Sequence, residues 1–507
     1  MATNRLPLEP LRTPYRLQYL SPDQLDQLQA ATLDILEHTG VRFPSEKALQ
    51  VLADHGTAVD QKTQVVKFPR DVVMKAISTV PRTFTLGARE PSYDLPLGDG
   101  CTYFTTDGCG VETGDLPAVS HRRAAGVRGT NGAPGAAGTG ETRQLRPSCK
   151  DDVGKMARVS DYLPSIAFIW PMVSAQDHGR TAPLHELDAT YNNSVKHVQS
   201  ETIMGEAPAR YATEIATVIA GSKDELRKRP PFSLVVCTIA PLIQDKEGIE
   251  GAMVLAEAGI PVGFLAMPTL GTTAPATLAG ALAMGDAEII SAVVLMQMIA
   301  PGAPVFHSLM QAWADPSSGN YVSYPLDARG RYAPVEMAHH WGMPALGACY
   351  GTDSPEAGTW QSAAEPALDP YMVGLTGAEI VTGMGLCHTY TRLYPEQLLM
   401  DADLYQRARH YLMTMEISPE TLALDTIHTV GPGGHFLAQK HTRLHMRDAM
   451  KRAITHQVGL DGKYLDARQV AIEKTKWILE NHHPDPLEAS QQAELIRILA
   501  AADKELG

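Results

Sequence analysis

Short apolar runs suited to strands alternate with longer helical stretches along most of this chain, and that alternation restricts its fold more than any other feature. The runs are "TFTLGA", "CTYFTT", "IAFIWPMVSA", "VKHVQSET", "FSLVVCTIAP", "IPVGFLAMP", "PVFHSLMQ", "MPALGACY" and "EIVTGMGLCHTY". Between most of them lie helical patterns such as "KEGIEGAMVLAEAG" and "TLAGALAMGDAEIISAVVLMQMI". Spacers of that length return the chain across a sheet and set the next strand parallel, which a short hairpin loop cannot do. Seven or eight such units before a helical tail point to an α/β chain folded as a (β/α)8 TIM barrel, more than to an open sheet.

The ends of the chain read differently. "SPDQLDQLQAATLDILEHTG" sets Ser21 three before Gln24, a capping-box spacing, with Gly40 as a stop. "EKALQVLADHG" and "RDVVMKAIS" continue in short helices. The expected organisation is an N-terminal helical segment over 1–82, a barrel over 83–400, and a C-terminal helical region packed on the barrel over 401–507. Near 113–147 the barrel region holds the Gly/Ala/Arg-rich string "AVSHRRAAGVRGTNGAPGAAGTGETRQLRP". It lacks apolar periodicity and reads as a flexible surface insertion, with a basic docking arm as the second reading.

Composition excludes several functions. The 507 residues carry a net charge of −14, and no basic stripe exists to neutralise phosphates, so no nucleic-acid partner is expected. No GxGxxG or GxxxxGK[ST] string follows a strand, which leaves dinucleotide and P-loop sites without support. The uncharged stretch 258–285 is interrupted by Pro261, Pro268 and Pro275, so it reads as strand, loop and helix rather than a membrane span. Cys101, Cys109, Cys149, Cys237, Cys349 and Cys387 show no CxxC spacing, so reduced thiols in a cytoplasmic protein are expected, and the N-terminus lacks the apolar core of a signal peptide. Adjacent His339 and His340 point to different helix faces, and His435 and His441 lack HExxH spacing, so no metal is expected.

Two long strings, "APATLAGALAMGDAEIISAVVLMQMIAPGAPVFHS" and "ETLALDTIHTVGPGGHFLAQKHT", closely resemble the trimethylamine methyltransferase family. These are barrel enzymes that move a methyl group from a methylamine onto a corrinoid protein. "NNSVKHVQ", "PLIQDKEGIEGAMVLAEAGIPV" and "RPSCKDDVGKMARVSDYL" are similar to the same family, so the resemblance spans about residue 20 to residue 450. It implies the barrel, the methyl transfer and a separate cobalt-carrying partner. The chain has no DxHxxG string to hold cobalamin, so the corrinoid is expected in trans, with nothing bound tightly here. "GPGGHF" at 431–436 reads as a tight glycine turn near the barrel mouth, with docking of the corrinoid as the second reading.

Amine-specific members carry pyrrolysine in the loop after the sixth strand. Here that loop reads "TDSPEAGTWQSAAE": Thr352, Asp353, Gln361 and Glu365 match the family pattern, while Pro355 to Gly358 stand where pyrrolysine would be. The chain therefore resembles the non-pyrrolysine branch, whose characterised members demethylate quaternary amines such as glycine betaine. The 113–147 insertion departs from the family's direct passage from a "TGD" turn to "RPSCKDD".

Elementary chemistry agrees with that branch. A tertiary amine must be made cationic before it can lose a methyl group, whereas a quaternary ammonium already carries the charge and leaves as a neutral amine. The protein then has to hold the cation and aim one methyl, a positioning task. A cation without N–H donors is held by aromatic faces and a nearby carboxylate. Tyr103, Phe104, Trp170, Trp313, Tyr324, Tyr350, Trp360 and Tyr390 sit at strand ends, with Asp353 and Glu365 nearby in sequence. A substrate carboxylate would call on Lys196, His197, His307 or His388, or on Arg329 and Arg331. The 351–365 loop is expected to shape the pocket and to supply no reactive group. The expected protein is a homo-oligomeric methyltransferase acting on glycine betaine or a similar quaternary amine, with the Co(I) of a separate corrinoid protein as acceptor. A tertiary-amine methyltransferase and a catalytically idle quaternary-amine-binding protein are the alternatives.

Overall fold

The computed structural model describes residues 6–108, 110–117, 143–322, 329–348, 351–449 and 451–507. Eight parallel strands form its centre: β1 (Tyr103–Thr106), β2 (Phe168–Ile169), β3 (His197–Ser200), β4 (Phe232–Cys237), β5 (Val262–Ala266), β6 (Val305–Leu309), β7 (Leu346–Ala348) and β8 (Ile380–Met384). The order around the sheet is β6-β5-β4-β3-β2-β1-β8-β7. A parallel bridge between His307 and Ala345 joins the two ends, so the sheet closes as a (β/α)8 barrel.

Eight of the nine strand-like runs become barrel strands. They are apolar almost throughout because both faces are covered, and every residue of β5 and β6 is buried. Alternation decides which way each side chain looks. On β6, Val305 and Leu309 pack outward among the helices, while Phe306 packs inward with Phe168, Val235 and Leu265. The ninth run, "TFTLGA", instead makes a hairpin, Phe84–Leu86 against Leu95–Leu97. Leu86, Leu95 and Leu97 pack against Tyr103, Phe168 and Ile380, stoppering the N-terminal floor of the barrel.

Local signals account for the helices between strands. Asp245 accepts from Gly248 N at 2.7 Å to start Lys246–Ala258, and Gly259, at φ 80°, ends it. Ser21 and Gln24 form the expected reciprocal capping box. The N-terminal segment also contains a three-stranded sheet, Val41–Arg42, Val65–Lys67 and Ala58–Asp60, beside its helices. Its Leu33, Val41, Phe43 and Val73 share one packed core with the helices flanking β4 to β6.

The apolar helix Leu278–Ile299 is the one helix among the described residues long and apolar enough to cross a membrane, yet 83% of its most apolar window is buried inside the fold. Asp286 and Glu288 lie at its centre, fully buried. Asp286 accepts from Thr32 Oγ1 at 2.7 Å, Trp341 Nε1 at 2.9 Å and His307 Nε2 at 2.9 Å, tying the N-terminal segment, the shell and β6 together. A buried carboxylate needs such partners to offset its desolvation.

The 113–147 region is ordered at both ends. Glu112–Gly114 pairs antiparallel with Leu145–Pro147, an ordered ladder where the sequence suggested a flexible loop. Residues 118–142, which hold most of that insertion, lie outside the described residues. After β8, helix Pro395–Leu412 packs on the barrel, as do Ala467–Asn481 and Ala489–Leu506.

Replacing Asp286 with Ala leaves His307 and Trp341 buried without their acceptor. The variant is expected to lose about 3–5 kcal/mol of stability by chemical denaturation, and a loss under 1 kcal/mol would remove Asp286 from this role.

Candidate active site

Side chains that immediately follow a barrel strand, or end it, converge at the C-terminal mouth. Asp107 follows β1, Trp170 follows β2, Glu201 follows β3, Cys237 ends β4, and Met267 and Met310 follow β5 and β6. Trp170, Cys237, Met267, Met310, Tyr321 and Tyr390 belong to the packed cluster that fills the lumen.

Trp170 is buried and pinned by its backbone. Thr106 Oγ1 donates to its carbonyl at 2.7 Å and accepts from its N–H at 3.0 Å. Its indole edge and Glu201 meet at Gly108, where an added Cβ would lie 2.3 Å from Trp170 Nε1 and 2.9 Å from Glu201 Oε1. Only a residue without a side chain fits there. Asp107 sits next to Gly108, whose N–H donates to Oδ1 at 3.0 Å, and Gly351 N–H reaches the same carboxylate. Asp107 Oδ2 is shielded from solvent and has no hydrogen-bond partner among the described residues.

Burial raises the Asp107 carboxyl to about 8, with the neighbouring Glu201 charge adding to the shift and Asp401 contributing less. Asp401, behind the mouth, accepts from Gly385 N at 2.8 Å and is raised to about 7 by burial. The Cys237 thiol is pushed up to about 12 by burial, with Glu201 and Asp245 adding to it, so it is protonated at neutral pH and is no thiolate nucleophile. The arrangement is a water-poor acidic mouth beside an indole, suited to a bound cation. Among the described residues no cluster of His, Cys, Asp and Glu is arranged to hold a metal ion.

The 351–365 segment follows β7, the seventh strand by count, where the resemblance implied the sixth. It works as a clamp. Glu365 accepts from Asp353 N at 2.8 Å and Gln361 Nε2 at 2.6 Å, and also from the Thr352 hydroxyl. The segment in turn grips the exit of β8: His388 N donates to Ser354 O and Thr389 N to Thr352 O, both at 2.9 Å, while Thr389 Oγ1 donates to Asp353 Oδ1 at 3.0 Å. His388, Thr389 and Tyr390 all have left-handed backbones, φ 53°, 53° and 56°. Three such residues in a row cost about 1 kcal/mol or more each, and the clamp opposes that cost. The turn brings Tyr390 into the lumen cluster, edge-on to Tyr321 with ring centroids 6.3 Å apart.

The structure separates the remaining candidates. Tyr103 opens β1 at the floor, where its hydroxyl donates to Asp99 Oδ2 at 3.1 Å, so it is far down the lumen from the strand ends. Phe104 faces outward against Tyr405. Lys196, just before β3, is fully buried and donates to the carbonyls of Ser160, Leu163 and Ile166 at 2.6–2.8 Å; burial lowers its pKa to about 8. His197 begins β3 and bonds Gly87 O and Ser233 Oγ on the floor, with burial lowering its pKa to about 4. His307 faces outward to Asp286. Strand-start and outward positions explain all five corrections, because only the C-terminal inward ends reach the mouth.

Arg331 is buried on the shell against Asp369 at 2.7 Å, and Arg329 opens the same helix. Trp313 is half-buried in a small three-stranded sheet, in register with Leu270 and Val322. Trp360 is 87% exposed, so it cannot wall a pocket as the sequence suggested. His388 is exposed, its ring bonded to Thr391 Oγ1. Tyr324 and Tyr350 lie outside the described residues. Among the described residues the "GPGGHF" turn is bonded within residues 427–442, on an exposed segment. Sequence reasoning missed Asp107, Glu201, Tyr321 and Gly351, although "YFTTDG" and "HVQSET" each place an acid directly after a strand.

Glu365→Ala is expected to loosen the clamp and weaken ligand binding about tenfold, or ~1.4 kcal/mol, whereas Trp360→Ala leaves it unchanged. Isothermal titration of both variants checks this, and the opposite ranking would return Trp360 to the pocket.

Comparison with known proteins identifies the family. The family model for trimethylamine methyltransferase (MTTB) matches residues 3–128 and 123–507. The trimethylamine methyltransferase MttB of Desulfitobacterium hafniense (strain DSM 10664 / DCB-2) is 29% identical over 97% of this chain and 95% of its own. The glycine betaine methyltransferase of Desulfitobacterium hafniense (strain Y51) is 27% identical, over 96% and 98%. Among solved structures, the monomethylamine methyltransferase (MtmB) of Methanosarcina barkeri aligns over 90% of this chain and 92% of its own, with a TM-score of 0.44 and 11% identity. A family model spanning nearly the whole chain makes this chain a methyltransferase belonging to the trimethylamine methyltransferase family.

Proposed function

We propose that this barrel takes a methyl group from a quaternary ammonium compound and passes it to a separate corrinoid protein, as a cytoplasmic enzyme. One observation carries the reading: Asp107 and Glu201 crowd together beside Trp170 at the mouth, with a shielded Asp107 oxygen that has no partner among the described residues. Two acids so placed do not both ionise readily until a cation lies between them. A permanently charged ammonium satisfies both carboxylates and presents its methyl groups to the indole face.

A corrinoid carried by the partner supplies the cobalt nucleophile that accepts the methyl group. This chain's residues hold and aim the donor. Trp170, fixed by Thr106, gives the cation a rigid wall, and Tyr390 and Tyr321 face the same lumen. As the C–N bond breaks, its electron pair stays on nitrogen and the product is neutral. The attraction of the acids for the ligand falls at that moment, which favours release. No proton need move, so the site requires no general acid. Pyrrolysine is absent from the sequence, and a charged donor makes it unnecessary. Of the cationic candidates for a substrate carboxylate, Lys196, His197 and His307 are bonded within the barrel wall, so these three do not receive one.

The purified chain incubated with cob(I)alamin tests the reading, with glycine betaine, choline, carnitine, proline betaine and trimethylamine in parallel and demethylated amine followed by mass spectrometry. Consumption of a fully methylated nitrogen supports the proposal. Demethylation of trimethylamine alone overturns it, and ligand binding without turnover identifies an idle binder.

The raised Asp107 carboxyl adds a pH signature. Asp107 is largely protonated at pH 7, and a bound cation favours its ionised form, so binding releases a proton. Affinity is expected to rise as pH increases through about 8. Removing the Glu201 charge lowers the Asp107 pKa, so Glu201→Gln is expected to move that inflection to lower pH while weakening binding about tenfold. A pH-independent affinity in the parent protein would exclude Asp107 from the cation site.

A further inference from the structure

After helix Pro395–Leu412 the chain forms three short helices, Pro419–Leu422, Leu424–Val430 and Lys440–Ala449, of 4, 7 and 10 residues. None of the three contains a buried residue. Helices this short do not persist in water on their own propensity; they need cover. The segment nevertheless carries the largest share of exposed apolar side chains. Met415 is 83% exposed, Leu437 76%, Ile417 68% and Leu444 57%, with Leu424 and Ile427 alongside. Ten of the 23 exposed large apolar side chains among the described residues fall between Met413 and Met446, a concentration of the kind that marks an interface.

The arm's place argues against the corrinoid partner as its cover. Helix Pro395–Leu412 starts at the mouth, where its Asp401 holds Gly385 N, and ends at the floor, where Arg409 Nε donates to Pro10 O at 3.1 Å. Leu11 pairs there with Thr102, just ahead of β1. The arm therefore leaves the body at the end of the barrel opposite the mouth, while a methyl acceptor has to approach the mouth.

Charge along the arm favours a second copy of this chain. Glu416, Glu420 and Asp425 lie in its first half; Lys440, Arg443 and Arg447 lie in its second, with Asp448. Within one arm Glu420 meets His445 at 3.5 Å, so the two halves lie side by side. A two-fold axis then sets the remaining acids of one copy, Glu416 and Asp425, against Lys440, Arg443 and Arg447 of the other, and such an interface is self-complementary. Elsewhere the chain is strongly acidic, so other faces of two copies repel. We infer that residues 413–449 form an isologous dimerisation arm whose apolar face is covered by the same arm of a second copy.

Sedimentation velocity of the full chain over a micromolar dilution series tests this. The parent protein is expected to be a dimer or a multiple of dimers. The double variant Met415→Glu/Leu444→Glu is expected to raise the dimer dissociation constant at least tenfold, with an unchanged circular dichroism spectrum and unchanged ligand binding. If that variant misfolds, a Gly/Ser linker in place of 414–449 serves instead and should be monomeric. Charge reversal by Lys440→Glu/Arg443→Glu should weaken the dimer, and adding Glu416→Lys/Asp425→Lys should restore it. A parent protein monomeric at every concentration overturns the inference. So does a folded arm variant that dimerises as the parent does, and so does one that stays dimeric while losing its hold on a corrinoid protein.

Discussion

In a closed parallel barrel, one number, the position of a residue along its strand, fixes both the height of its side chain and the face it looks toward. The His307–Ala345 bridge leaves no free edge where this sheet could relax that rule. Asp107 and Glu201 both come one residue after their strands, β1 and β3, and both look inward. They are neighbours because the barrel sets them at one height, although 94 positions of sequence separate them, from 107 to 201. The same geometry keeps Tyr103 and His197, which open those strands, on the floor.

Much of this architecture could be read directly. Continuous apolar runs of strand length, separated by helices with Asp245-type caps and Gly259-type stops, leave few alternatives to a barrel. The site was harder to read because aromatic and basic residues attract attention wherever they occur. Lys196 and His307 look like ligands in a sequence, yet a lysine against three backbone carbonyls and a histidine against Asp286 are structural devices of the barrel wall. Which face each residue takes depends on strand register, and a register error of one residue exchanges inside for outside. The acids at the strand ends were passed over since two isolated carboxylates, far apart in sequence, carry no motif.

Buried charge is used in two ways here. On the outer shell several deep carboxylates are well partnered: Asp286 by Thr32, His307 and Trp341, Glu396 by Arg143 and Arg468, and Asp369 by Arg331 and Tyr332. These groups hold elements in register. At the mouth the pattern reverses, and the Asp107 carboxyl rises far above the usual carboxylate range because it is buried, with the neighbouring Glu201 charge adding to the shift. A carboxylate left short of partners is destabilising unless something outside the chain completes it, which is why a cation is proposed there.

The left-handed turn at His388–Tyr390 binds two stretches of sequence to a common fate. Its conformation holds only while the backbone of Thr352 and Ser354 accepts its amides and Glu365 keeps that segment in shape. Substitutions in the turn and in the clamp should therefore not act independently: a change at Glu365 lets the turn unwind toward ordinary extended backbone and swings the Tyr390 ring away from its neighbours. The aromatic cluster in the lumen is thus held in part by the 351–365 segment outside it, so changes in that segment reach Tyr390 without altering any residue of the cluster.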